Sequence, residues 1–147
     1  MRYKLLLILI FLLLPGIPSQ AEQDSKGVFD YTAYDFEAEV ANIDGEWEFY
    51  WHQLLEPKDF THAGDLKKAY IQMPSSWNGQ VFDGQVLDGK GYATYRALIK
   101  VPTDMLLGIM IPDINSSSAV WYDGELIFKS GQVADNPESI REAFEVK

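Results

Sequence analysis

The run Gly45-Glu46-Trp47-Glu48-Phe49-Tyr50-Trp51 alternates with a period of two. Trp47, Phe49 and Trp51 fall on one face and Glu46, Glu48 and Tyr50 on the other, the pattern of a half-buried strand with one solvated side. No helical period of 3.6 competes with it. Gly91 to Val101 (GYATYRALIKV) reads the same way, as the longest strand of the chain. Its Ala93, Tyr95, Ala97, Ile99 and Val101 face a core, and Tyr92, Thr94, Arg96, Leu98 and Lys100 face away. Ala69 to Met73 is a short strand stopped at Pro74, and Leu106 to Ile111 (LLGIMI) is an apolar run expected to be a strand buried on both faces. Ala119 to Tyr122 and Glu125 to Phe128 flank Asp123-Gly124. A two-residue Asp-Gly loop suits a type I′ hairpin turn, because both residues accept positive φ at low cost.

Between these strands lie a polar loop from Pro57 to Gly64 and one long turn-rich loop from Ser75 to Lys90. Glu22 to Lys26 is a polar lead-in, Gly27 to Val40 an extended arm, and Pro137 to Lys147 a short helix or second arm. Six strands without a long amphipathic helix predict an all-β fold, a jelly-roll or related β-sandwich. A closed two-sheet jelly roll uses about eight strands, so the expected sandwich is C-terminally incomplete. The expected division is a signal peptide over 1–21, an N-terminal arm over 22–44 and a β-sandwich over 45–147.

The leader reading rests on order. Arg2 and Lys4 precede ten apolar residues, Leu5 to Leu14, which are followed by Pro15, Gly16 and Pro18 and by Ser19-Gln20-Ala21. That is the layout of a secretory signal peptide cut after Ala21. A membrane span needs roughly 20 apolar residues, and ten closed by prolines are too few. Export to the bacterial periplasm or the outer face of the inner membrane follows. Arg2 and Lys4 leave with the leader, so ten basic residues face 22 acidic ones, a net charge of −12 against −10 for the whole chain. Such a balance argues against nucleic acid, whose binding draws on Lys and Arg at phosphates. The chain has no cysteine, which excludes a disulfide scaffold.

Chemistry is sparse. Asp59, His62 and Asp65 lie close in sequence, but zinc sites want three or four His or Cys ligands, and a solvated loop is the simpler reading. Glu46 and Glu48 do not form the opposed carboxylate pair of a glycosidase. The serines lack a nucleophile elbow and the glycines make no phosphate loop. No catalytic residue, metal or cofactor is therefore expected. Aromatic residues make up 14% of the chain, and this points to recognition: a sugar offers an apolar C–H face ringed by hydroxyls, which suits an aromatic ring beside polar side chains. The candidate ligand-binding residues are Trp77 with Asn78, and Tyr92 with Arg96, for a small-molecule or carbohydrate ligand. Trp77 has a packing role as its competing reading, and Arg96 an ion pair.

Several segments taken in order resemble a known family: Gly27-Val28-Phe29-Asp30, Asp44 to Trp51 with Leu54-Leu55, Met73-Pro74-Ser75-Ser76-Trp77, Gly89 to Arg96, and Tyr122-Asp123-Gly124 followed by Gly131. Together they look like the N-terminal extracytoplasmic domain of bacterial seven-transmembrane receptors with diverse intracellular signalling modules. That domain resembles the galactose-binding-like jelly roll, including the sugar-binding domain of family 2 glycoside hydrolases. The resemblance implies a periplasmic sensor, with membrane contact only through helices that would follow Lys147. An N-terminal fragment of a secreted glycoside hydrolase and a stand-alone periplasmic interaction module are the alternatives.

Overall fold

A computed structural model describes residues 22–112, 114 and 116–140 of the chain, without the side chains of 22–25, 62–65 and 137. The expected leader over 1–21 lies outside the described residues. Among the described residues the fold is all-β, with 35% of them in strands. Its strands are β1 (Glu22–Ser25), β2 (Val28–Asp30), β3 (Gly45–Trp51), β4 (Ala69–Met73), β5 (Val81–Phe82), β6 (Gln85–Val86), β7 (Ala93–Arg96), β8 (Leu98–Lys100), β9 (Ser118–Tyr122) and β10 (Glu125–Ser130). They form a sheet β4-β3-β7, a sheet β1-β2-β8, and the hairpins β5-β6 and β9-β10. No described helix is long and apolar enough to cross a membrane.

The aromatic strand is the centre. β3 pairs antiparallel with β4, Trp47 opposite Ile71 and Phe49 opposite Ala69, and with β7 on its other side, Phe49 opposite Tyr95 and Trp51 opposite Ala93. Alternation therefore places Phe49, Ile71 and Tyr95 on one surface, as the sequence predicts. Phe49, at 2% exposure, is the hub. Its ring lies 5.2 Å from Tyr95, 5.9 Å from Trp51 and 5.9 Å edge-on from Phe82. Burying one such ring contributes roughly 1.5–3 kcal/mol. Leu87 and Ile71 complete this cluster.

The opposite surface of β3 departs from expectation. Glu48, predicted to be solvated, is buried at 7% exposure. Its Oε1 accepts from Lys68 Nζ at 2.6 Å, and its Oε2 accepts from Arg96 Nη1 and from the Tyr50 hydroxyl, each at 2.8 Å. The polar appearance of Glu-x-Tyr gives no sign that the two charged partners arrive from elsewhere, Arg96 on β7 and Lys68 just before β4. Register brings Arg96 directly opposite Glu48. A 3-10 helix over Pro57–Asp65, where the sequence suggested a plain loop, covers the network. Its Phe60 lies under the Arg96 guanidinium at 4.7 Å and packs edge-on against Tyr50 at 5.4 Å. Both faces of β3 are thus closed, one by aromatic packing and the other by a satisfied charge cluster.

Residues 27–44 are more than an arm. β2 pairs in parallel with β8, and Gly27 N–H donates to Glu46 O at 2.8 Å. Phe29 and Tyr31 are buried, Phe29 edge-on to Trp47 and Tyr31 hydrogen-bonded through its hydroxyl to Asn42 O. Glu22–Ser25, read as a lead-in, is β1, antiparallel to β2.

Three further expectations are corrected. The stretch 91–101 is two strands, broken at Ala97, because β7 follows β3 while β8 leaves to pair with β2. The stretch 75–90 contains the β5-β6 hairpin, turned by Asp83 (φ 50°) and Gly84 (φ 76°). Its Val-Phe-Asp-Gly-Gln-Val carries the same Asp-Gly signal that locates the β9-β10 turn, where Asp123 (φ 46°) and Gly124 (φ 86°) are both positive as predicted. Leu106 to Ile111, expected as a strand buried on both faces, takes part in no ladder among the described residues. Leu106 is fully exposed and Met110 is 82% exposed. An apolar run becomes a buried strand only when neighbours supply both faces, and none of the described strands does so. Pro137–Ser139 is a single 3-10 turn.

Two stability predictions follow from the Glu48 cluster. Glu48→Ala strands the Lys68 and Arg96 charges over a covered surface and should cost on the order of 2 kcal/mol, read as a lower urea midpoint with an unchanged slope at neutral pH. The pH response has a defined sign. Burial pushes the Glu48 carboxyl up, but hydrogen bonds from Lys68, Arg96 and Tyr50 outweigh it and hold the group below its ordinary 4.5. Hydrogen bonds from the Thr32 hydroxyl and backbone, with Lys100, hold Asp30 down at about 2 from an ordinary 3.8. Both groups bind protons more readily when unfolded. Their stabilisation is therefore present above about pH 4.5 and is lost as pH falls through the folded values. Glu48→Gln should flatten the acid limb of a stability–pH curve in that window; an unchanged limb would show that Glu48 contributes nothing to it.

Candidate functional site

At the end of β3 the aromatic alternation runs out of the sheet and becomes a surface. Trp51, the last residue of β3, is half-buried. The next residue, His52, has a φ of 54°, which breaks the alternation and folds its imidazole back over Trp51, centroids 4.5 Å apart and planes at 21°. His52 N–H donates to Tyr92 O at 2.9 Å, and the Tyr92 ring stands 4.9 Å from the imidazole. On the other side of Trp51 lies Trp77 at 5.6 Å. Trp77 is held by its indole N–H, which donates to Asp88 O at 3.1 Å, and by a parallel offset against Tyr95 at 6.4 Å. Burial pushes the Tyr95 hydroxyl up to about 12. Trp77, Trp51, His52 and Tyr92 therefore form one continuous row of rings. His52 is exposed and the other three are half-buried.

Gly91 makes this packing possible. Its φ is 151°, and a β-carbon there would sit 2.3 Å from Trp51 Cη2. Nothing larger than glycine fits beneath the indole. The loop that carries Trp77 also presents exposed Asn78, Asp88 and Lys90, the last with its N–H on Asp88 Oδ1 at 2.9 Å. Flat apolar rings bordered by exposed amide, carboxylate and ammonium groups can bind a ligand with an apolar face and a hydroxylated rim.

The predicted site residues divide between two faces. Trp77 and Tyr92 share the ring row, joined through Trp51 and His52, and Asn78 stands beside Trp77 with its N–H on Ser76 Oγ at 3.2 Å. Arg96 is elsewhere. It points to the opposite face of the sheet, where it is committed to Glu48 at 2.8 Å. Trp51 and His52 complete the row, and no sequence motif marks them as site residues. The usable signal was the end of the alternation itself, since the residue after a strand's last aromatic is where packing gives way to surface. Glu48, drawn down by three donors, is a carboxylate at neutral pH and not a proton donor. The Asp59, His62 and Asp65 cluster includes two side chains outside those described.

No protein-family model, curated protein or solved structure matches this chain, so no comparison points to an enzyme.

Gly91→Ala should displace the Trp51 indole. The expected result is a change in tryptophan emission and a loss of about 2 kcal/mol of stability, from overpacking and an unfavourable φ together. Unaltered emission and stability would mean that Trp51 does not lie over Gly91.

Proposed function

We propose that the chain is an extracytoplasmic ligand-binding β-domain that recognises carbohydrate, the sensing part of a bacterial membrane signalling receptor. The observation that carries the reading is the row Trp77–Trp51–His52–Tyr92, a set of rings that reaches the surface beside exposed polar groups. Rings of this kind stack on the C–H face of a pyranose while neighbouring polar side chains meet its hydroxyls. The leader-like first 21 residues and the family resemblance support the compartment and the sensing role. The aromatic load supports the ligand class. Binding would act by favouring one of two conformations, with no covalent step.

The site is open and has few polar contacts, so affinity in the millimolar range, about −4 kcal/mol, is expected. Titration with a panel of neutral mono- and oligosaccharides, followed by tryptophan fluorescence, tests it. Trp77→Ala and Tyr92→Ala should each weaken the responding sugar roughly 5- to 10-fold, about 1–1.4 kcal/mol. Arg96→Ala lies on the far face and should leave sugar affinity within about twofold in protein that remains folded. Silence across the panel from folded wild-type protein would remove the carbohydrate reading.

A further inference from the structure

One ring of the row is held differently from its neighbours. The His52 imidazole meets Trp51 at 4.5 Å and 21°, and Tyr92 at 4.9 Å and 31°. Both rings are close to parallel with it, and they make no ring contact with each other among the described residues, so they take its two faces. The sheet anchors these outer rings. Trp51 pairs with Ala93 in the ladder, its indole lies over Gly91, and Phe49 stacks beside it at 5.9 Å. Tyr92 directly precedes β7, and its carbonyl accepts the His52 N–H at 2.9 Å. Stacking alone holds the imidazole. It makes no hydrogen bond or ion pair among the described residues, and His52 is exposed. Rotation of this side chain carries it into water and leaves both walls standing, because main-chain pairing and packing behind them fix their places.

We propose that His52 is the resident occupant of a two-walled aromatic slot between Trp51 and Tyr92, and that a pyranose enters by displacing its imidazole. The ligand rests on the carbohydrate reading; the slot does not. Two van der Waals contacts of about 3.5–4.0 Å set the walls roughly 7–8 Å apart, room for a single ring. A sugar in that space replaces both stacking contacts and leaves its hydroxyls at the open rim. Two walls also select the sugar. A β-glucopyranose or β-xylopyranose has its ring substituents equatorial and shows C–H bonds on both faces. Galactose and mannose each turn one hydroxyl axial, against a wall that offers it no hydrogen bond. A one-sided platform makes no such distinction, since the second face of the sugar stays in water.

The slot is tested by titrating the full chain with free imidazole at about pH 8, where imidazole is largely neutral, and following tryptophan emission. His52→Gly empties the slot and keeps the turn, because glycine accepts a φ of 54°. It should bind imidazole saturably in the millimolar range, with no saturable response from the wild type. Adding Tyr92→Ala should weaken that binding by roughly 10-fold or more. His52→Asn, short and tolerant of positive φ, is the second variant and should behave as His52→Gly does; circular dichroism reports whether each is folded. In the sugar arm, His52→Gly should bind methyl β-glucopyranoside roughly 5-fold more tightly than the wild type does. It should also prefer that sugar to methyl β-galactopyranoside by roughly 5-fold. Folded variants that ignore imidazole overturn the proposal, as does imidazole binding that survives the loss of Tyr92. Sugar affinity unchanged by emptying the slot overturns displacement. Imidazole binding with silence from every sugar supports the slot and removes the pyranose from it, so the carbohydrate reading fails separately.

Discussion

The fold hangs on β3 being closed on both sides. One side is an aromatic surface with Phe49 at its hub, and the other is a carboxylate, Glu48, that receives three donors in place of water. The two halves stabilise in different ways. Ring packing scales with apolar area and tolerates small shifts, whereas the charge cluster is favourable only while every donor is in place. Glu48 therefore ties β3, β7 and the approach to β4 into one register. Arg96 can reach it only when Phe49 stands opposite Tyr95, so the polar face enforces the pairing that the aromatic face exploits.

The same register builds the candidate site. Trp51 sits at the end of β3 because Phe49 is central, and Tyr92 comes alongside because β7 runs antiparallel to β3. His52, with positive φ, turns the last ring contact outward. The break at Ala97 belongs to this geometry as well. Past Arg96 the chain leaves β3 and pairs with β2, so one continuous segment joins the two three-stranded sheets and brings the strand that carries Phe29, and Tyr31 just after it, into the core.

Local chemistry made several elements legible. The period-two pattern of 45–51, the stop at Pro74 and the Asp123-Gly124 turn are decided within a few residues by pleat geometry, a missing N–H and allowed φ. The Asp83-Gly84 hairpin is legible by the same rule but sits among further turn residues, Gly79 and Gly89, that mask its flanking strands. What could not be read locally depended on partners far along the chain. Glu48 looks solvated because its two charged donors are 20 and 48 residues away. Arg96 could have been a ligand contact or an ion pair, and only the strand pairing decides. The run Leu106 to Ile111 reads as core, yet burial belongs to the neighbours that cover a strand and not to the strand itself.

By itself, then, the sequence determined an acidic, cysteine-free, aromatic-rich β-domain, with its principal strand and its Asp123-Gly124 turn in place. Those properties follow from composition, alternation and φ preference, all of which act over short distances. The tertiary structure decided which face of the sheet each charged residue occupies, that Trp77 and Tyr92 share a surface while Arg96 does not, and that an apolar run lies uncovered. Those outcomes depend on which strands become neighbours. Pairing is set by the summed energy of contacts between residues distant in the chain, a quantity that no local pattern encodes.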